Sequence, residues 1–144
     1  MSLKVELKAG ERILLGECIV TNGNQRTRLT IDGKVPILRE KDILTPALAN
    51  TPAKRIYLTV QLMYTAQDPT AHHDVYFRLL RDILSAAPSA WPLIENINNH
   101  ILTGEMYKAL KCAQKLIAYE EELISHARRH SGLPSHRQAD RQSA

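Results

Sequence analysis

Several groups of residues have types and spacings that could do chemistry. His72-His73-Asp74 offers two imidazoles and a carboxylate to a metal ion, but neighbouring residues diverge by about 100° around a helix, which argues against chelation by both histidines. His126 and His130 have the i, i+4 spacing that can clamp a divalent ion, yet no third ligand accompanies them. Glu120-Glu121-Glu122 would fan over about 200° of a helix, which reads as a solvated face near Lys115 rather than a pair poised for acid–base work. Cys18 and Cys112 stand far apart, outside any C-x-x-C or Cys/His cluster, and are expected as reduced thiols without zinc. The sequence contains no Gly-rich phosphate loop, nucleophile elbow or H-E-x-x-H, so neither an enzyme, a cofactor nor a metal site is expected.

The remaining group is basic. Arg26 and Arg28 alternate in VTNGNQRTRLTI, residues 20–31. Along a strand they would stand about 6.6 Å apart, close to the spacing of neighbouring phosphates in single-stranded nucleic acid. Arg39 lies in ILREK with Lys41 just beyond it, and Lys4 and Lys8 flank the first apolar alternation. Such a face either keeps a protein soluble or holds phosphates. Charge distribution agrees with either use. Residues 1–50 carry eight Lys/Arg against six Asp/Glu, residues 51–125 seven against eight, and residues 126–144 four against one. The ends are basic and the middle is neutral, which permits a polyanionic partner.

Two textures must position these residues. Residues 1–44 predict a small antiparallel module of five short strands, because Leu3, Val5 and Leu7 alternate with Lys4, Glu6 and Lys8 and glycines punctuate the rest of the segment. Asn22-Gly23 and Asp32-Gly33 are hairpin signals, with Thr27, Leu29 and Ile31 as an inward face. Pro36 cannot donate to a ladder, which puts the last strand at an edge. So small a module leaves strand edges, and a homodimer is expected from them. TPALANTPAK, residues 45–54, is a connector, and residues 55–127 turn to helical spacing. Four helices are expected, with Ile56, Val60 and Met63 on the first and Val75, Leu79, Leu80 and Ile83 on the second, which Thr70 caps. Trp91, Ile94, Ile97 and Ile101 mark the third; Met106, Leu110, Ala113, Ile117 and Ile124 mark the fourth, over 105–127. Asn96, Asn98 and Asn99 beside the third stripe either bridge helices or form a polar recognition surface. Residues 128–144 read as a disordered basic tail. The fold class is therefore α+β. No apolar run approaches the roughly 20 residues of a membrane span, and MSLKVELK lacks a signal-peptide core, so a cytoplasmic location is expected.

L-K-x-G-E-R-I at 7–13, G-K-V-P-I-L-R-E at 33–40, A-K-R-I-Y-x-x-V-Q at 53–61, IENINN at 94–99 and TGEMYKALKCAQKLIAYEEEL at 103–123 resemble the flagellar-biosynthesis regulator family FlbT. The resemblance implies a cytoplasmic bacterial post-transcriptional repressor that binds the 5′ untranslated region of flagellin mRNA. Residues 10–17, 23–25 and 36–43 also resemble the carbon-storage regulator family, small β proteins that bind mRNA leaders as intertwined dimers. That second resemblance implies an RNA contact at Arg39, while Leu7 stands where the family carries a basic residue, with Lys8 beside it. Arg39, Arg26, Arg28, Lys8, Lys4 and Lys41 are accordingly the expected RNA-binding set. A rival reading leaves these cations as solubility charges and makes the helices a chaperone or adaptor surface for flagellin or another flagellar regulatory protein.

Overall fold

The computed structural model describes residues 2–131. Five strands precede four α-helices: β1 (Ser2–Leu7), β2 (Arg12–Leu15), β3 (Cys18–Thr21), β4 (Thr27–Asp32), β5 (Ile37–Arg39), then α1 (Pro52–Thr65), α2 (His73–Ala86), α3 (Trp91–Leu102) and α4 (Met106–Ser131). The α+β order follows the change of period across residues 45–54.

The strands form two antiparallel sheets, β1 with β4 and β3-β2-β5 in that order. Val5, Leu7 and Ile13 are buried in a small cluster that both sheets share, with Leu15, Leu29, Ile31 and Ile37 packed against it. Pairing departs from the hairpin signals. Asn22-Gly23 does not join β3 to β4 as ladder partners, and Gly23 lacks the positive φ that a primed turn requires. Every residue of β3 is exposed, so a local β3–β4 hairpin offers Leu29 and Ile31 no buried face, whereas β1 does. Asp32-Gly33 turns the chain, with Gly33 at φ 111°, but β5 pairs with β2 rather than with β4. The tight hairpin is at Gly16-Glu17, between β2 and β3. Gly16 has φ 61°, and a Cβ there would lie 3.0 Å from Val35 Cγ2.

The larger core belongs to the helices. Ile56, Val60 and Met63 of α1, Leu80 and Ile83 of α2, Ile94 and Ile97 of α3, and Ala109, Leu110, Ala113 and Leu116 of α4 are buried together, and Leu38 of β5 sits in the same cluster. Strands and helices therefore share apolar packing at β5. Thr51 caps α1 by accepting from Lys54 N at 3.2 Å, with Pro52 in the first turn.

Several expected faces are rotated or narrower. Asp68, not Thr70, is the cap: its Oδ1 accepts from Thr70 N at 3.2 Å and opens a short 3-10 turn before α2. Tyr76 is buried in place of the exposed Val75, because its hydroxyl finds Asn98 Oδ1 on α3 at 2.6 Å. That bond is the interhelical bridge considered for the asparagines. Trp91 and Ile124 stay exposed, outside the stripe their helices bury. Glu121 and Glu122 are exposed as expected, but Glu120 departs from the solvated face. It is 9% exposed, and its Oε2 accepts from Ala53 N at 3.0 Å, where the amino-terminal end of α1 presents unsatisfied N–H groups. Helix α4 continues to Ser131, beyond the expected end at 127. The rest of the expected tail, residues 132–144, lies outside the described residues.

Candidate nucleic-acid interface

Backbone anchors come first. Arg39 ends β5, and the chain leaving it is strapped to the helices. Tyr57 donates its hydroxyl hydrogen to Asp42 O at 2.7 Å, and Gln114 Nε2 donates to Asp42 Oδ1 at 3.0 Å. Lys111 Nζ pairs with Asp42 Oδ2 at 3.5 Å. Gln61 completes a ladder-like exchange with Leu44, accepting from its N–H at 2.8 Å and donating to its carbonyl at 3.1 Å. Tyr64 does the same for Ile37, at 3.2 and 3.3 Å. The outer edge of β5 is thus covered from within the chain. Burial and the Asp42 charge hold the Tyr57 phenol above its ordinary range, burial contributing most.

Asn22 anchors the other side. Its Nδ2 donates to Lys8 O at 2.7 Å and to Gln25 O at 2.8 Å, and its Oδ1 accepts from Gly23 N at 2.9 Å. The end of β1 and the loop carrying Arg26 are held together by one side chain. Glu11 closes the turn after β1, accepting from Lys8 N at 2.9 Å, with Gly10 at φ 73° between them.

These anchors bring Lys8, Arg26, Arg39 and Lys41 around one cleft of about 770 Å³, which Glu6, Glu11 and Glu40 also line. Arg28 stands directly across the β1–β4 ladder from Glu6, and Lys4 lies opposite Thr30, farther along β1 and outside the cleft lining. Arg26 sits just before β4 rather than on it. Four of the six expected residues meet, from three separate stretches of chain.

The arginines arrive paired. Arg26 Nε donates to Glu6 Oε1, and Arg28 Nη2 lies 4.0 Å from Glu6 Oε2. Arg39 Nη2 donates to the Glu6 main-chain carbonyl at 2.7 Å and reaches Glu11 Oε2 at 3.4 Å. Arg12 Nε donates to Glu40 Oε1 at 3.2 Å. The Arg26 hydrogen bond and charge, with Arg28 and Arg39 behind them, hold the Glu6 carboxyl below its ordinary range. The Lys8 N–H bond is the largest influence lowering Glu11, followed by Arg39. Lys4, Lys8 and Lys41 make no ion pair among the described residues. Sequence reasoning missed Arg12, Glu6 and Glu11; Glu40, a candidate partner for Arg39 in the sequence, pairs with Arg12 instead. The alternation in LKVELK carried a signal for one of the missed residues, since it sets Glu6 on the face that bears Lys4. No aromatic ring lines the cleft, so what it can offer a ligand is cationic charge and the planes of its guanidinium groups.

No group of three or more His, Cys, Asp or Glu among the described residues could hold a metal ion. No helix in that range is long and apolar enough to cross a membrane.

A family model described as "Flagellar protein FlbT" matches residues 3–124. The chain is 64% identical over 124 residues to a protein of Bradyrhizobium diazoefficiens named probable flagellum biosynthesis repressor protein FlbT 1, with 85% of each chain covered. It is 52% identical over 125 residues to a Rhodopseudomonas palustris protein named probable flagellum biosynthesis repressor protein FlbT, covering 87% of this chain and 99% of that one. A Caulobacter vibrioides protein named flagellum biosynthesis repressor protein FlbT is 35% identical over 129 residues, covering 88% and 92%. No solved structure matches.

Proposed function

The chain belongs to the FlbT family of flagellar proteins, and from that premise we propose that it represses flagellum biosynthesis after transcription, by holding the 5′ untranslated region of flagellin mRNA in the cationic cleft. The single observation that supports this reading is the convergence of Lys8, Arg26, Arg39 and Lys41 on one cleft from three separate stretches of chain. Solubility charges have no need to converge. In this reading Lys8 and Lys41 meet phosphates as point charges, joined at the margin by Lys4, while Arg26 and Arg28 grip neighbouring phosphates. Arg39, held at the end of β5, contacts a base or phosphate, the role that the resemblance over residues 36–43 implies. Such a protein works in the cytoplasm, where its transcript is translated. A gel shift with a flagellin leader RNA across a salt series tests the proposal. Binding should weaken steeply as salt rises, because phosphate contacts release counterions.

The adaptor reading has its own observation: Phe77 and Trp91 are exposed over 51% and 46% of their surface on the helical side. RNA capture that is flat in salt, or flagellin binding without RNA, favours it. Self-association belongs to the proposal too. In the three-stranded sheet Tyr64 covers β5, which leaves β3, with Ile19 49% exposed, as that sheet's open edge for a second copy. A monomeric mass by sedimentation at micromolar concentration counts against the dimer.

A further inference from the structure

The cationic cleft carries its own competitor for the ligand. Glu6 accepts from Arg26 through one oxygen and faces Arg28 through the other, while its main-chain carbonyl receives Arg39. The contact is built into the backbone. The β1–β4 register sets Glu6 across from Arg28, and Asn22 fixes the Arg26 loop to the end of β1. Resting on the RNA-binding reading above, we propose that Glu6 is a built-in counter-anion that occupies Arg26 and Arg28 in the free protein, so that RNA gains these arginines only by displacing it.

The order of events is set by which cations are already engaged. Lys4, Lys8 and Lys41, which make no ion pair among the described residues, make the first, weak encounter with the backbone. An isolated phosphate replaces one arginine–carboxylate contact with one arginine–phosphate contact and gains little. Two neighbouring phosphates on one strand engage both arginines together, and the second contact is then intramolecular and strong. The carboxylate thereby selects a continuous single-stranded polyanion over mononucleotides. It also lowers the affinity of the site, which keeps the protein releasable. Glu6 retains a depressed carboxyl in the free state, consistent with its role as the anion already seated there.

The test compares full-length wild type with Glu6→Gln, Glu6→Asp and Glu17→Gln, by fluorescence anisotropy on a labelled flagellin leader RNA. Circular dichroism confirms that each variant is folded. Glu6→Gln removes the charge but keeps the shape. Glu6→Asp keeps the charge but shortens its reach to both arginines. Glu17→Gln removes a charge from the same segment that pairs with no arginine among the described residues. Glu6→Gln should bind about three- to tenfold tighter and Glu6→Asp about twofold tighter, with Glu17→Gln within about twofold of wild type. The salt dependence of Glu6→Gln should also steepen, because no freed carboxylate recruits a cation when RNA arrives. Equal gains in Glu6→Gln and Glu17→Gln, with none in Glu6→Asp, overturn the proposal in favour of simple net charge. Wild-type binding that Glu6→Gln leaves unchanged or weakens overturns it while the RNA reading stands. Absence of RNA binding by every protein at low salt overturns the RNA reading itself, and this proposal with it.

Discussion

The strands and the helices put their side chains to different use. Among the strands the local cluster contains three buried residues, Val5, Leu7 and Ile13, and the outward side carries ion-paired arginines and lysines that make no ion pair among the described residues. On the helical side fifteen buried residues form one cluster, to which β5 adds a sixteenth, Leu38. Exposed charge pairs contribute little to stability, whereas each large buried side chain contributes kilocalories. Stability therefore resides mainly on the helical side, and the strand side is free to present charge. The contrast teaches where each kind of substitution should register.

The largest effect should come from breaking the helical core. Leu110 is fully buried on α4, and Leu110→Ala should cost about 2–5 kcal/mol in chemical denaturation, through lost transfer energy and an unfilled cavity. A cost below about 1 kcal/mol would mean that the core collapses around the gap and that the two sides differ less in stability.

On the strand side the reverse pattern is expected. Arg39→Ala should weaken leader-RNA binding by about 1–3 kcal/mol if it reads a base, with little change in melting temperature. Normal RNA affinity with an earlier melt would instead make Arg39 a structural clip between the Glu6 carbonyl and Glu11.

Glu120 sharpens the helical side of the comparison. It is a buried carboxylate with one oxygen on Ala53 N and the other, Oε1, buried without a hydrogen-bond partner among the described residues. Glu120→Ala should lose about 0.5–2 kcal/mol, the usual value of a helix N-terminal acceptor. Glu120→Gln keeps an acceptor and removes an unpaired charge from the interior, and should stay close to wild type. Equal losses in both variants would make the charge, and not the hydrogen bond, the stabilising feature.

The smallest effect is a pH dependence. Glu6 and Glu11 are held below their ordinary value near 4.5 by arginine and N–H partners. A carboxyl whose folded pKa is depressed contributes stability above the unfolded value and loses it as pH falls through the folded one. Thermal melts should therefore decline below about pH 4.5, and Glu6→Gln should flatten that decline. Acid melts that are identical in the two proteins would show that the Glu6 pairs add nothing to stability.

Local pattern made much of this legible. Alternation in LKVELK and RTRLTI marked β1 and β4, and the 3.6-residue spacing of Ile56, Val60 and Met63 marked α1. The expected basic residues were readable as types, and four of them do meet. The carboxylates that hold the arginines were not readable as partners, because Glu6 lies twenty residues from Arg26 and Glu11 twenty-eight from Arg39.

By itself the sequence determined what depends on near neighbours: the strand-rich first third, the four helices and the family resemblance. Only the tertiary structure decided which strands pair, that Asn22 ties two segments instead of making a hairpin, and that Tyr76 turns inward while Val75 stays out. It also decided that Glu120 is buried at the start of α1, sixty-seven residues away in the chain. The physical reason is that dipeptide and periodic signals report local backbone preference, worth about a kilocalorie or less per residue. Burial of a shared apolar face and satisfaction of a helix end outweigh them, and both depend on partners that only the folded chain brings together.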